Sequence, residues 1–319
     1  MIVPAEGDVL DLILDAAYAL AHTGLGRAAY GRLEAAQTRT AWALDHRRRV
    51  ALVEGDVWLA SAKAYRLAGV LDGRALRICG IGELLTAPGD QGGDPAGALA
   101  ERLLEDAAHD GAEMALLFSA RDRAWCEGHG FETLPTVEVE LDVAQSPRHG
   151  APMTLVRAGE ERDLPAIVAI GQARAAGFRF HLDRDADLVQ YAITAKRLLS
   201  GLGKAGAREL QFFVAEEGIA AVAYVVLSVV GSTWTIEECG DRDVPGARVG
   251  AILQALIARD PGAPRPAIRG WLPPGFRPPQ VTIKAARPSG EVVRVRLLGP
   301  TIDPKLCAAD LLYWHGDLL

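Results

Sequence analysis

Cysteine is scarce and scattered: Cys79, Cys126, Cys239 and Cys307 are the only four in 319 residues. No CxxC pair occurs, so zinc-ribbon and thioredoxin-like chemistry have no support, and no metal site is expected. Two of the four lie in apolar, strand-like runs, where a free thiol packs as a small hydrophobe. Positive charge is also short. The 34 Lys and Arg residues stand against 41 Asp and Glu, a formal net charge of −7. Neutralising phosphates takes a basic excess, so no nucleic-acid partner is expected. No apolar run approaches the roughly 20 residues of a membrane span. The opening MIVPAEGDVLDLILDAAYAL has no basic segment and carries acids inside its apolar stretch. It reads as an amphipathic helix rather than a signal peptide, which implies a cytoplasmic protein with no membrane partner.

What is present is globular. Half of the residues are hydrophobic and 24% are charged, a balance that permits large cores. The length suits two domains of roughly 150 residues. Residues 9–22 and 25–38 have helical spacing. Strands follow at 47–55, 58–73 (ending in an Asp72-Gly73 turn) and 74–86. A Gly/Pro/Asp loop over 87–97 leads into a helix over 98–111, stopped by Gly111. The continuous apolar run 112–119 reads as a strand covered on both faces. Residues 121–131 read as a short helix and turn, and the alternating TVEVELDV (136–143) as the strand that closes the unit.

SPRHGAP (146–152) is a linker by composition, and the order then restarts. A strand (153–160), a helix opening with ERDLPAIV, three strands within 211–240, a helix (247–260), a short strand (267–273), a strand (291–299) and an amphipathic tail complete the chain. Both halves share one element order with little residue identity, an internal repeat of architecture. The fold class expected is α+β. It has two tandem domains, 1–147 and 148–319, with the boundary within 144–153. Each is a mixed, mostly antiparallel sheet flanked by helices.

A Gly-rich turn opening a helix presents unpaired N–H groups to which the helix dipole adds positive potential. Gln91, Gly92, Gly93, Asp94, Pro95 and Ala96 form such a turn, suited to a pyrophosphate. Around it lie GIGELLTAP (80–88), ALLFS (115–119) and WCEGHGFETLP (125–135). With that order and spacing, residues 77–135 resemble the GNAT (N-acetyltransferase) superfamily, in particular bacterial tandem-GNAT proteins related to the enhanced-intracellular-survival acetyltransferases.

The resemblance implies acetyl-CoA as acyl donor, bound at the 91–96 turn. The main chain of Leu84, Leu85 and Thr86 would face its pantetheine arm as an added strand does. It also implies an amine acceptor, on a small molecule or a protein. Two residues depart from the family pattern. Asp94 stands where a glycine is usual; a carboxylate repels a diphosphate, yet Asp followed by Pro is also the signature of a helix N-cap. Cys126 stands at the tyrosine that protonates the leaving thiolate, and a packed thiol is the alternative.

Transfer to an amine requires a base, a polarised carbonyl and an acid for the leaving group. Glu83 is the candidate base, or a carboxylate that only orients substrate, and Cys126 the candidate acid. His129 reads as a turn histidine on the surface; Trp125 and Phe131 read as core. In the second half Ala247 and Val249 replace small loop residues, and Arg242 and Arg248 read as solvated. Glu237 and Glu238 sit on the equivalent strand. GWLPPGFRPPQ (270–280) is too Pro-rich for a helix. That half reads as a degenerate domain. A non-catalytic tandem GNAT protein, binding or sensing a ligand, is the alternative to an enzyme.

Overall fold

The computed structural model describes residues 1–21, 23–89, 92–118, 122–144, 155–289, 293–299 and 305–317. The chain divides into two units, Met1–Leu134 with Glu291–Lys305, and Pro135–Gly290 with Leu306–Leu318. The linker 146–152 lies outside the described residues.

The first unit opens with β1 (Ile2–Pro4), α1 (Gly7–Leu20), α2 (Arg27–Thr38) and α3 (Ala41–His46). A meander follows: β2 (Arg47–Glu54), β3 (Val57–Leu71) and β4 (Arg74–Thr86). Asp72 and Gly73 both take left-handed backbone, φ 50 and 77, the geometry of a tight hairpin turn. Then come α4 (Pro95–His109), β5 (Met114–Phe118), α5 (Arg123–Gly128) and β6 (Glu132–Thr133). The α4 crossover makes β4 and β5 parallel; the rest of the meander is antiparallel. One stripe of α4, Leu99, Ala100, Leu103 and Leu104, is buried with Val50, Ala62, Ala64, Cys79 and Ile81 of the sheet.

The second unit contains β7 (Val137–Val143), β8 (Leu155–Ala158), α6 (Leu164–Ala175), β9 (Phe180–Leu182), α7 (Ala186–Leu202), β10 (Glu209–Glu217), β11 (Ala220–Val230) and β12 (Thr233–Asp241). It continues with α8 (Ala247–Ala258), β13 (Ala267–Gly270) and β14 (Val281–Pro288). The chain ends with β15 (Arg294–Leu297) in the first unit and β16 (Leu311–Leu312) in the second. Its sheet order is β14-β7-β13-β12-β11-β10-β8, and α8 buries Val249, Ile252, Leu253 and Leu256 on it. The Pro-rich stretch 270–280 contains no helix. No helix among the described residues is long and apolar enough to cross a membrane.

Two strands change sides relative to the sequence reading, so the units are not 1–147 and 148–319. β7 does not close the first unit: it pairs with β13 and β14, and Val139, Leu141 and Val143 enter the second core. β15 returns the other way, between β5 and β6. Its place puts the first sheet in the order β1-β2-β3-β4-β5-β15-β6. Alternation specifies that a strand buries one face, not which sheet receives it.

Candidate functional site

Glu83 has φ 45, a left-handed conformation uncommon for a residue with a side chain. The pairing of β3 with β4 shifts register here. Lys63 lies opposite Gly82 and Ser61 opposite Leu85, so Glu83 and Leu84 together face one residue, Ala62. This is a β-bulge, and it reverses the faces. Strict alternation would put Glu83 beside Cys79 and Ile81 on the α4 side. Instead Leu84 enters that core, and Glu83 turns to the other face.

There Glu83 joins a buried ion cluster. Its carboxylate accepts from Tyr30 Oη at 2.6 Å and from Arg49 Nη2 at 2.6 Å, and pairs with Lys63 Nζ at 2.5 Å. Glu34 of α2 accepts from Arg47 (2.6 Å), Arg49 (3.0 Å) and Lys63 (2.8 Å). Burial alone would raise the Glu83 carboxyl, but Lys63 and Arg49 outweigh it and hold it below the usual carboxylate range. Glu34 is lowered in the same way, by Lys63, Arg47 and Arg49 against its burial. Burial, then the Glu83 charge, pushes the Tyr30 phenol up.

Sequence reasoning singled out Glu83 but missed Tyr30, Glu34, Arg47, Arg49 and Lys63. The available signal was Lys63, one cation inside the apolar run LASAKAY, and the alternation of Arg47 and Arg49 on the adjoining strand.

Among the described residues, the pairing of β4 with β5 runs as far as Gly82 opposite Phe118, and the pairing with β3 runs on to Thr86. The Glu83 bulge follows that last described pair, and after β4 ends at Thr86 the next helix, α4, begins at Pro95. Its N-cap is Asp94, whose Oδ1 accepts from Gly97 N at 2.9 Å. Asp94 Oδ2 accepts from Trp125 Nε1 at 2.6 Å and faces His129 Nε2 at 2.9 Å. Burial would raise the Asp94 carboxyl, but the bonds from Gly97, His129 and Trp125 bring it below its ordinary value. His129 also approaches Glu101 at 3.3 Å, so it is no plain surface histidine. Trp125 packs on the core with its N–H on Asp94, and Phe131 is core.

Gly92, Gly93, Pro95 and Ala96 flank Asp94 in the chain, with Gly93 at φ 81; Gln91 lies outside the described residues. Cys126 is 1% exposed, in the cluster that holds Leu84 and Ala96. The structure thus gathers Cys126, Leu84 and the 94–96 turn on the α4 side of the sheet, and Glu83 on the other.

The second unit repeats this plan. Pairing of β12 with β13 ends at Ile236 opposite Gly270, and the register with β11 shifts there, which puts Glu237 at the position equivalent to Glu83. Glu237 lies 3.2 Å from Lys196. Glu238 pairs with Arg184 at 2.7 Å and accepts from the buried Tyr224 hydroxyl. Arg184 also meets Asp317 of the tail at 3.0 Å. At the start of α8, Asp241 accepts from Arg248 N at 2.8 Å and Asp243 N at 2.9 Å. Arg248, expected to be solvated, is bound to Glu217, Asp241 and Asp243.

No sequence-family profile and no curated protein matches the chain. Solved structures do match. A GCN5-related N-acetyltransferase from Kribbella flavida aligns with TM-score 0.67 at 17% identity, over 93% of this chain and 70% of that one. Eis1 from Mycobacterium abscessus aligns with TM-score 0.53 at 15% identity, over 86% and 72%. A tandem GNAT protein from the clavulanic acid biosynthesis pathway aligns with TM-score 0.50 at 13% identity, over 95% and 99%. The fold is that of two tandem GNAT-like domains.

The two GNAT-like units differ in their fit to a coenzyme A. In the first, the β4 segment after its last described pair with β5 would suit a strand-like pantetheine arm, but the diphosphate end does not fit while Asp94 holds Gly97 N, and Pro95 contributes no N–H. In the second, the Asp241 side chain is fully buried at the helix start, and a Cβ on Gly246 would meet the Phe276 ring at 2.3 Å. That seat is filled.

Proposed function

We propose that the chain is an acetyl-CoA-dependent N-acetyltransferase whose first unit takes the donor and whose acceptor is an amine of a small molecule or a protein. The observation that carries this reading is the Glu83 bulge in β4, which follows the last described pair of β4 with β5 and precedes the N-terminus of α4 in the chain. Main-chain groups of Leu84, Leu85 and Thr86 would meet the pantetheine arm, and Gly92, Gly93 and Ala96 the diphosphate. Acetyl-CoA would supply the activated acyl group.

Asp94 weakens that binding without closing the seat. Its side chain is 42% exposed, so it can swing to water and release Gly97 N. Glu83 is held by Lys63 and Arg49 with little affinity for a proton, so it orients groups rather than accepting one. Cys126 is packed in the α4 core and 1% exposed, so a leaving thiolate would take its proton from water.

Asp94 and Cys126 favour a second reading, a non-catalytic tandem GNAT protein that binds a ligand. Calorimetric titration with acetyl-CoA separates the two, followed by thiol release with a panel of primary amines. Saturable binding with amine-dependent thiol release supports the enzyme. Binding by neither the wild type nor Asp94→Gly leaves the non-catalytic protein.

A further inference from the structure

The α4-facing side of the first sheet extends past the C-terminal half of that helix, and it carries three arginines. Arg48 lies opposite Ala64, Arg66 opposite Cys79, and Arg77 opposite Ala68. These positions alternate in step with Val50, Ala62 and Ile81 of the α4 core, so all three side chains rise on that face. With Cys79, Leu103 and Ala107 they line a cavity of about 350 Å³, within the range of small-molecule sites, about 300–1,000 Å³.

The charges there are unbalanced. Asp110 is the single acid in the lining. Arg77 Nη1 donates to the Asp110 carbonyl at 2.9 Å, which accounts for one guanidinium as a helix C-terminal partner. Arg48 and Arg66 make no side-chain hydrogen bond or ion pair among the described residues. The floor is apolar: Leu103 is 5% and Cys79 8% exposed. Burial pushes the Cys79 thiol up to about 11 against the pull of the Arg48 charge. Exposed guanidinium groups on the rim of an apolar floor suit an anion, and the planar guanidinium fork matches a carboxylate.

We propose that this cavity binds a small organic anion, a carboxylate on a short apolar body. Arg48 and Arg66 would hold the carboxylate, and Cys79, Leu103 and Ala107 the apolar part. The site lies at the opposite end of α4 from Asp94 and does not depend on any acyl-transfer activity.

The test is calorimetric titration of the whole chain with octanoate, octanol and inorganic phosphate. Octanoate should bind saturably with one site, at least tenfold tighter than the alcohol or phosphate, and more weakly as salt rises. Arg48→Gln and Arg66→Gln, both exposed, should each weaken octanoate several-fold with the thermal transition unchanged. Ala107→Leu, which narrows the floor and leaves every charge, should weaken it as well. Octanoate binding no tighter than octanol, or binding indifferent to all three substitutions, overturns the proposal. Phosphate binding as tightly as octanoate overturns the apolar half of it.

Discussion

The Trp125 indole N–H donates to Asp94 Oδ2 across 2.6 Å, pinning a carboxylate at the N-terminus of α4, where the fold otherwise offers main-chain N–H groups to an anion. The anion at this helix start belongs to the chain itself.

Asp94→Gly should therefore tighten acetyl-CoA binding by about tenfold at low salt, with the gain shrinking as salt rises. Removing a carboxylate next to a diphosphate relieves roughly 1 kcal/mol or more at such an exposed site. Glycine as N-cap costs only about a few tenths of a kcal/mol. Loss of the Trp125 and His129 contacts adds to that, so the variant should be about 1 kcal/mol less stable. Titration at two salt concentrations and thermal unfolding check both signs. Weaker binding would mean that the carboxylate organises the turn.

Glu34 is 7% exposed and answers three cations. Breaking a buried pair by removing one partner costs about 3–5 kcal/mol, because the remaining charges stay buried. Glu34→Gln should lose about that much in urea unfolding. Adding Lys63→Met should restore part of the loss, since one stranded cation goes too. Equal stability of Glu34→Gln and wild type would mean that water reaches the cluster.

The same cluster sets an acid dependence. Glu34 and Glu83 both lie below their ordinary value of 4.5 in the folded chain. A depressed folded pKa contributes stability that is present above the unfolded value and lost as pH falls. The stability difference between wild type and Glu83→Gln should hold constant at neutral pH and shrink below about pH 4.5. Chemical unfolding at stepped pH tests it; a difference that grows on acidification would reverse the sign.

Gly246 and Gly275 both have positive φ, 82 and 79, but only Gly246 is crowded, by Phe276. Alanine at Gly275 meets open space and should cost about 1–2 kcal/mol, the left-handed penalty alone. Alanine at Gly246 adds overpacking and should cost roughly 3 kcal/mol or more. Thermal melts of the two variants side by side decide it. Equal losses would mean that the ring moves aside freely.

By itself the sequence determined the local elements, because each rests on a period or on turn chemistry carried by neighbouring residues. The α4 stripe, the Asp72-Gly73 turn, the Asp94-Pro95 helix start and the two-sheet plan all have that origin. Glu83 was legible as a strand carboxylate. Tertiary structure alone decided which way it faces: the bulge turned it from the α4 core to Arg49 and Lys63, which come from strands 20 to 34 residues away. It also decided that Asp94 meets Trp125 and His129 from a later helix, and that β7 and β15 exchange sheets. These are long-range pairings between surfaces of similar pattern. Hydrophobic alternation is the same on either sheet, so only the packed core selects the partner.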